Sequence, residues 1–529
     1  MSKGYGPQSL AVGRIGPTGM LTFAMAAAAP LVVVGGVFVS AYLATGITAL
    51  PLPIAIVGAI LGVFTVGYTR MGSHIKHPGA LYAYIAQGLG RPIACGAAWL
   101  ALAAYHALQV GLYGLLSVTV VQAAQTWFGV KLSWWVPAFV ICGVVAILGL
   151  RRIDVNRAVT AVLLVVEVGL VLVFATALIV EPADGHLSAD VLSPTHLASS
   201  QLGALAVIAF LSFIGIEQPS AYSEEARNSA VTVRKAIRLT LLVICVLYMY
   251  VAIAMPQGTG PGNLIAAAQE QQTALFFNLA AERLGRWAVH AGLLMQITSI
   301  LIGLLAFHNV TARYAFSLGR EGILPHRLAE TSETTGAPKA GSLTQSALAA
   351  VTIAVYALAG WDPVLHLFYY VGSSGGYGVL VVLAITGVAV AAYFHKNPHG
   401  ENLWRRRIAP ITAAVLLIGM AILATIHLGT LLGAPESMLR WAIPLFVVVL
   451  LVGGLLNGMY IRVYRPDTYA RIGLGVRTSV VKGATAARHS SDGHTQEIPA
   501  VPAQIAGPIR MPRHVVEGVG GTSEEQRYR

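Results

Sequence analysis

Long apolar runs, separated by short polar segments, occupy most of the first 463 residues of the chain. About 20 consecutive apolar residues are enough for a helix to cross the hydrocarbon core of a bilayer. Twelve such runs predict transmembrane helices, at residues 20–43, 50–69, 94–125, 134–150, 158–180, 202–221, 237–256, 287–316, 343–360, 366–394, 408–431 and 440–463. The pattern therefore predicts an all-α polytopic membrane protein with twelve transmembrane helices.

Composition agrees with this fold class, since 56% of the residues are hydrophobic and only 11% are charged. The net charge of +12 raises the question of nucleic-acid binding, but the basic residues are concentrated in alternate loops. The opposite loops carry only Lys131, Arg283, Arg286 and Arg440. Because Lys and Arg accumulate in cytoplasmic loops, we expect both termini in the cytoplasm and no nucleic-acid partner. We also expect a plasma-membrane location.

Three parts of the chain differ in character. Residues 1–19 are predicted to form a cytoplasmic N-terminus, and residues 20–463 form the helical domain in the lipid bilayer. Residues 464–529 are rich in Gly, Ser, Thr, Arg, Pro and His and lack a sustained apolar period. This composition predicts a disordered cytoplasmic tail.

Two of the apolar runs are interrupted. The sixth contains Gly215, Glu217 and Pro219, and the first contains Gly35 and Gly36 at a similar depth. Interrupting a helix in hydrocarbon frees backbone groups that must be satisfied by protein or cavity water, and an intramembrane carboxylate is a functional candidate. Corresponding interruptions in two halves of a transporter indicate a binding site near the bilayer midplane. The two runs cross in opposite directions, which predicts an inverted repeat.

Four segments carry a more specific signal: Val34-Gly-Gly-Val-Phe38, His77-Pro-Gly-Ala-Leu-Tyr-Ala-Tyr84, Ser212-Phe-Ile-Gly-Ile-Glu217 and Ala312–Pro325. In these segments and their order, the chain resembles permeases of the amino acid–polyamine–organocation superfamily. The resemblance implies a leucine-transporter-like 5+5 inverted repeat, with repeats at 20–180 and 202–394 and two further helices at 408–463. It also implies an amino acid or amine substrate and a monomeric protein, although the sequence itself does not determine the oligomeric state.

The resemblance places substrate between the first and sixth helices. Backbone N–H groups at Gly35 and Gly36 would suit a substrate carboxylate, and carbonyl groups at Phe213, Ile214 and Gly215 would suit its ammonium group. Close helix packing is the alternative role for the glycines.

Two positions near these motifs depart from the family pattern. Val34 stands where the family often has a small residue. Leu211 stands where some members have an aromatic gate, a role that Phe210 or Phe213 would then take.

Two intramembrane carboxyl groups are candidates for proton coupling. Burial favours the neutral form of a carboxyl group, so Glu217 and Glu167 are able to carry protons. The alternatives are a hydrogen bond from Glu217 to freed backbone and a helix-pairing hydrogen bond from Glu167. Hydroxyl groups of Thr298 and Ser299 are candidates for sodium binding, which we favour less than proton coupling.

Further polar side chains lie on the third predicted helix. Tyr105 and Gln109 share a face at spacing i, i+4, as do His106 and Gln109 at i, i+3, so they are secondary candidates for the cavity. A satisfied interior histidine is the alternative for His106. In the loop after the sixth helix, Glu224 and Glu225 are candidates for an ion-pair latch, or else belong to a solvated helix end.

The sequence has no pattern typical of an enzyme. It contains no phosphate-binding Walker loop and no dinucleotide fingerprint. The cysteines lie in apolar runs and are interpreted as small core residues, with no metal or disulfide: Cys95, Cys142 and Cys245. We therefore expect no cofactor. We also expect a secondary active transporter driven by an ion or substrate gradient.

We favour alternating access with proton-coupled uptake. Exchange of one amino acid or amine for another is the alternative within transport. A nutrient receptor that binds substrate without moving it is the alternative from another class.

Overall fold

The computed structural model describes residues 10–11, 13–151, 153–193, 195, 201–433 and 436–474, without the side chains of 153–159. Every extended regular element in these ranges is a helix, and the one isolated β-bridge there joins Ile15 to Ala226. An all-helical fold follows from the apolar sequence, because a helix satisfies its own backbone hydrogen bonds in hydrocarbon.

Six helices form the first part of the fold: α1 (Pro17–Thr45), α2 (Pro51–His74), α3 (Ala80–Gly88), α4 (Arg91–Phe128), α5 (Trp135–Gly149) and α6 (Ile153–Val180). The next part contains α7 (Leu202–Leu211), α8 (Ser229–Thr259), α9 (Leu264–Gln271), α10 (Leu275–Leu284), α11 (Trp287–Glu321), α12 (Lys339–Leu358) and α13 (Pro363–Lys396). The last helices are α14 (Trp404–Ile426), α15 (Leu439–Tyr464) and α16 (Pro466–Arg471).

Within the described residues, ten helices are long and apolar enough to cross a membrane. They coincide with ten of the twelve predicted spans, and the shorter apolar helices α5 and α7 lie at the predicted fourth and sixth spans. The multi-pass helical fold is confirmed. The number of membrane crossings and the inverted repeat stay predictions.

Helix α1 lies at the centre of the fold. Its most apolar stretch is 89% buried within the protein, and it packs against α6, α8 and α11. The corresponding stretch of α15 is only 17% buried and faces outward. A helix that is apolar on all sides suits either a protein core or lipid, so packing rather than hydropathy distinguishes the two.

The sequence prediction places the start of the disordered tail too early, at residue 464. Pro466–Arg471 form α16, and the guanidinium group of Arg91 donates to the backbone oxygen of Ala470 at 3.1 Å. The backbone N–H of Gly473 donates to the Glu321 carboxylate at 2.8 Å. Composition does not reveal such contacts, which hold this segment against the helical domain. Residues 475–529 of the predicted tail lie outside the described residues.

Candidate functional site

Helix α1 is interrupted at Ala29. This alanine has a φ of +40°, a left-handed conformation that is uncommon outside glycine, and Pro30 follows it. Proline lacks the N–H that would continue the preceding turn, so the first half of α1 ends at Ala28 and the second begins at Pro30. A break in the first predicted span is confirmed, but its predicted position at Gly35 and Gly36 is wrong.

Gly35 and Gly36 lie instead in a π-helical turn, Val33–Val37. A Cβ on Gly35 would approach Nε2 of Gln296 in α11 to 3.2 Å, and one on Gly36 would approach the Phe368 ring in α13 to 3.1 Å. Both distances are tighter than ordinary contacts. The two glycines therefore let α11 and α13 pack closely against α1, which is the alternative that the sequence left open.

Helix α7 ends at Leu211, although the sequence predicts a span that continues to residue 221. The chain then turns irregularly until a 3₁₀ helix begins at Gln218. Gly215 has a φ of +107°, and a Cβ there would lie 2.8 Å from the carbonyl carbon of Ala27. Glycine is therefore required at this turn, and the close approach brings the break in α7 against the last turn before the break in α1.

Glu217 satisfies the backbone at the break in α7. One carboxylate oxygen accepts a hydrogen bond from the N–H of Gly215 at 3.0 Å, and the other accepts one from the hydroxyl group of Tyr105 at 2.9 Å. The residue is only 3% exposed. Because a backbone N–H left unpaired in the interior is costly, Glu217 replaces the partner that the irregular turn removes.

Glu167 takes the corresponding place at the break in α1. Its Oε1 accepts hydrogen bonds from the N–H of Leu31 at 3.0 Å and from the Ser299 hydroxyl group at 2.6 Å. Leu31 lies in the first turn after the break, where free N–H groups favour an anion. Oε2 of Glu167 is buried and has no hydrogen-bond partner among the described residues. Each break is thus held by one buried glutamate.

A cavity lies beside the two breaks, between α1, α4, α7, α11 and α13. The two breaks contribute Ala28, Ala29 and Val32 on one side, and Leu211 and Ile214 on the other. The remaining walls include several apolar side chains: Leu108, Leu112, Phe307 and Phe368. Hydroxyl groups come from three residues of the lining: Ser40, Tyr369 and Ser373. A mostly apolar cavity with a few polar groups is typical of a small-molecule site.

Of the predicted substrate-binding residues, only Ile214 lines this cavity. Val34 and Phe210 are buried beside the breaks, at 0% and 1% exposure. Phe213 packs edge-on against Tyr248, with ring centroids 6.2 Å apart. The missed residues are mostly apolar, such as Leu108 and Phe307, and hydropathy alone does not distinguish them from residues that face lipid.

His106 and Gln109 lie on a different side of α4 from the cavity. The side-chain amide of Gln345 in α12 bridges them, donating to the Gln109 amide oxygen and contacting Nδ1 of His106 at 2.9 Å. Gln109 also contacts Nδ1 of His308 in α11 at 3.3 Å. These groups form a buried polar network between α4, α11 and α12, which is the satisfied-interior alternative for His106. Tyr105, by contrast, contacts the break in α7 through Glu217.

Comparison with known proteins identifies the family. The family model described as amino acid permease matches residues 19–461. The chain belongs to the amino acid permease family. It is similar to the branched-chain amino acid permease BcaP of Bacillus subtilis (strain 168), with 24% identity over 426 residues that cover 77% of this chain and 84% of the relative. The resemblance found in the motifs is confirmed, and the chain is a membrane-embedded permease for amino acids rather than an enzyme.

In this permease, two ion pairs join the segment after the 3₁₀ helix to α11. Arg313 binds both carboxylate oxygens of Glu225, at 2.6 and 3.1 Å, and also lies 4.3 Å from the ring centroid of Tyr222. Arg320 binds both oxygens of Glu224, at 2.8 and 3.1 Å. The two glutamates therefore form a latch to α11 and not a solvated helix end.

Proposed function

We propose that the permease is a secondary active transporter that takes up amino acids with aliphatic side chains, coupled to protons, by alternating access. The observation that carries this proposal is the contact between the two helix breaks, where Gly215 lies against Ala27. Breaks that meet at a cavity offer the positive end of a helix dipole to the carboxylate of an amino acid and backbone carbonyl groups to its ammonium group. Related amines remain within the same substrate class.

The two breaks offer complementary backbone ends to the substrate. The second half of α1 begins at Pro30 and presents the positive end of its dipole toward Val32 and Val33, which line the cavity. The N–H groups of Val32 and Val33 donate to the Ala29 oxygen, and that of Leu31 donates to Glu167. The helix dipole, and not a free N–H group, would therefore attract a substrate carboxylate to this end. The carbonyl end of α7 lies at Leu211 and Ile214, which also line the cavity, and suits the substrate ammonium group.

Apolar walls favour an uncharged side chain on the substrate. Leu108, Leu112, Phe307 and Phe368 line the cavity, and its lining contains no Asp, Glu, Lys or Arg. Desolvating a charged substrate side chain here without a partner would cost several kcal/mol. The name of the Bacillus subtilis relative, a branched-chain amino acid permease, supports the same choice.

Glu167 is the favoured proton carrier. Its carboxylate joins the break in α1 to Ser299 of α11, so protonation would weaken the hydrogen bond from the Leu31 N–H and loosen the break. Glu217 accepts hydrogen bonds through both oxygens and serves better as a fixed cap.

Sodium coupling is less favoured because the candidate hydroxyl groups are engaged. Ser299 donates to Glu167, and Thr298 donates to the backbone oxygen of Met295 at 3.0 Å. The proposed coupling ion is therefore a proton.

The ion pairs of Glu224 and Glu225 with α11 support closure of one side of the permease in this conformation. With the orientation expected from the Lys and Arg distribution, this side is cytoplasmic, and we refer to it as the inner side. Alternating access would require the pairs to separate when the site opens inward. The proposal also includes twelve membrane crossings, an inverted repeat, a plasma-membrane location and a monomeric state.

Uptake by purified permease in liposomes tests this proposal. Labelled leucine, isoleucine, valine, lysine, glutamate and an amine are supplied under a proton gradient or a sodium gradient, each imposed alone. We expect accumulation of the aliphatic amino acids under the proton gradient only. Uptake that requires unlabelled substrate inside the liposomes would indicate an exchanger, and binding without accumulation would indicate a receptor. Accumulation under sodium alone would contradict proton coupling.

A further inference from the structure

Four arginine residues lie near the inner ends of three helices that pack together. Arg70 lies one turn before the end of α2, Arg234 and Arg238 lie near the start of α8, and Arg405 lies in the first turn of α14. Helix α2 packs against both α8 and α14, and Glu401 lies between Arg70 and Arg405. The charges of Arg70, Arg234 and Arg405 therefore act on Arg238. We call these four residues the arginine cluster.

The positive charge of the cluster is not balanced by nearby carboxylates. Among the described residues, Glu401 is the one carboxylate paired with it, at 3.4 Å from Nε of Arg70 and 3.5 Å from Nη1 of Arg405. Arg234 and Arg238 form no ion pair within the described part of the chain. One carboxylate shared between two arginines leaves a net positive site.

Local geometry adds to this imbalance. Arg234 and Arg238 are one helical turn apart, a spacing at which like charges repel. Arg405 lies at the N-terminal end of α14, where the helix dipole is also positive. The Arg70 and Glu401 side chains are only 24% and 13% exposed, so water screens these charges incompletely. An anion from outside the chain would relieve the repulsion.

The surface beside the cluster is apolar. Leu239 and Leu242 of α8 are 45% and 61% exposed, and Ile408 and Ile411 of α14 are 44% and 52% exposed. Helix α2 packs against both helices, and a Cβ on its Gly62 would meet no atom within 4 Å. The two exposed apolar faces therefore both border α2, and we call the surface between them the groove over α2.

We propose that the arginine cluster binds the phosphate of an anionic phospholipid in the inner leaflet, with the acyl chains along the groove over α2. Guanidinium groups bind phosphate oxygens in bidentate geometry, and basic sites between membrane helices suit anionic headgroups. The apolar groove favours a lipid over a soluble phosphate. Trp404 is 48% exposed at the start of α14, as expected for a tryptophan at the headgroup level. The leaflet assignment rests on the proposed orientation, but the site itself does not depend on the transported substrate.

The test uses purified full-length permease in detergent, with phosphatidylglycerol, phosphatidylcholine or inorganic phosphate added. Native mass spectrometry counts bound lipid, and thermal unfolding reports stabilisation. We expect phosphatidylglycerol to bind and to stabilise more than the other two. The variant R234Q/R238Q should bind phosphatidylglycerol about thirtyfold more weakly, from the loss of two cationic contacts.

The matched control is R327Q/K339Q, which removes the same charge away from the cluster. Both residues are exposed; Arg327 precedes α12, and Lys339 is its first residue. It should bind phosphatidylglycerol like the parent protein. If R234Q/R238Q does not fold, R405Q provides the second variant, with an expected loss of several-fold.

Unchanged binding by R234Q/R238Q, or equal losses in the control, would overturn the proposal. Equal stabilisation by inorganic phosphate would assign the cluster to a soluble anion and also overturn it. Because lipid binding is measured without a transport assay, these outcomes are independent of those that test the proposed function.

Discussion

The carboxylate of Glu167 in α6 accepts a hydrogen bond from the backbone N–H of Leu31, 3.0 Å away, where α1 resumes after its break. The same oxygen also receives the hydroxyl group of Ser299 from α11. Three helices therefore meet at one buried carboxyl group. A change in its protonation alters the contacts of all three helices together, which is what coupling a proton to a conformational change requires.

Substituting Glu167 by Gln should uncouple transport from the proton gradient. The amide keeps the shape of the side chain and an oxygen acceptor for Leu31, but it carries no proton. We expect proton-driven accumulation of leucine to fall at least tenfold, while exchange of internal for external leucine persists. Liposome uptake and counterflow measure the two quantities.

The control for this prediction is E181Q, because Glu181 lies in an exposed loop after α6. It should leave both accumulation and exchange unchanged. Undiminished accumulation by E167Q would remove Glu167 from the coupling mechanism.

Substituting Glu217 by Gln should retain proton-driven uptake but reduce stability. A neutral amide makes a weaker hydrogen bond to the N–H of Gly215 than a carboxylate does, and the change is expected to destabilise the fold by about 1–2 kcal/mol. Thermal unfolding in detergent measures the loss, with Y105F as a companion that removes the other contact. Abolished accumulation with exchange intact would instead make Glu217 the proton carrier.

Substituting Gly215 by Ala should disrupt the contact between the two breaks. A Cβ there would lie 2.8 Å from the carbonyl carbon of Ala27, in a backbone conformation with a φ of +107°. Strain of this kind costs about 1–3 kcal/mol, so we expect a lower melting temperature and loss of leucine binding. G143A is the matched control, because a Cβ on Gly143 meets nothing within 4 Å. Normal binding by G215A would contradict the required role of this glycine.

The ion pair between Arg313 and Glu225 should show strong coupling in a double-mutant cycle. Both residues are at most 3% exposed, and removing one partner from a buried pair costs about 3–5 kcal/mol because the other charge is left unpaired. R313Q and E225Q should each destabilise more than the double variant R313Q/E225Q does. Chemical or thermal unfolding measures the three values, and additive losses would argue against a direct pair.

Substituting Phe307 by Ala should change which amino acids are transported. Phe307 forms part of the apolar wall of the cavity, and its truncation makes room for a larger side chain. We expect the ratio of kcat/KM for phenylalanine to that for valine to rise about tenfold, in line with the effect of a few methylene groups in an apolar pocket. F64A serves as a control, since Phe64 is buried in α2 and does not line the cavity. An unchanged ratio would place the substrate side chain elsewhere.

By itself, the sequence determined the apolar helices, the family membership that the motifs suggest and the existence of two interrupted helices. Bilayer thickness sets the length of each apolar run, and glycine and proline act locally on the backbone. Both the membrane helices and their interruptions can therefore be recognised without knowledge of the fold. Glu217 was found in this way because a carboxylate in an apolar run is rare.

Only the tertiary structure decided what holds the break in α1 and what faces the cavity. Pro30 ends the hydrogen bonding of the preceding turn at Ala29, and Glu167, far away in sequence, supplies the acceptor for the N–H of Leu31 that the break leaves free. Likewise Leu108 lines the cavity while Gln109 faces a polar network with α12. In a membrane protein, lipid and protein core are both apolar, so hydropathy gives no sign of which helix face points inward, and only packing settles it.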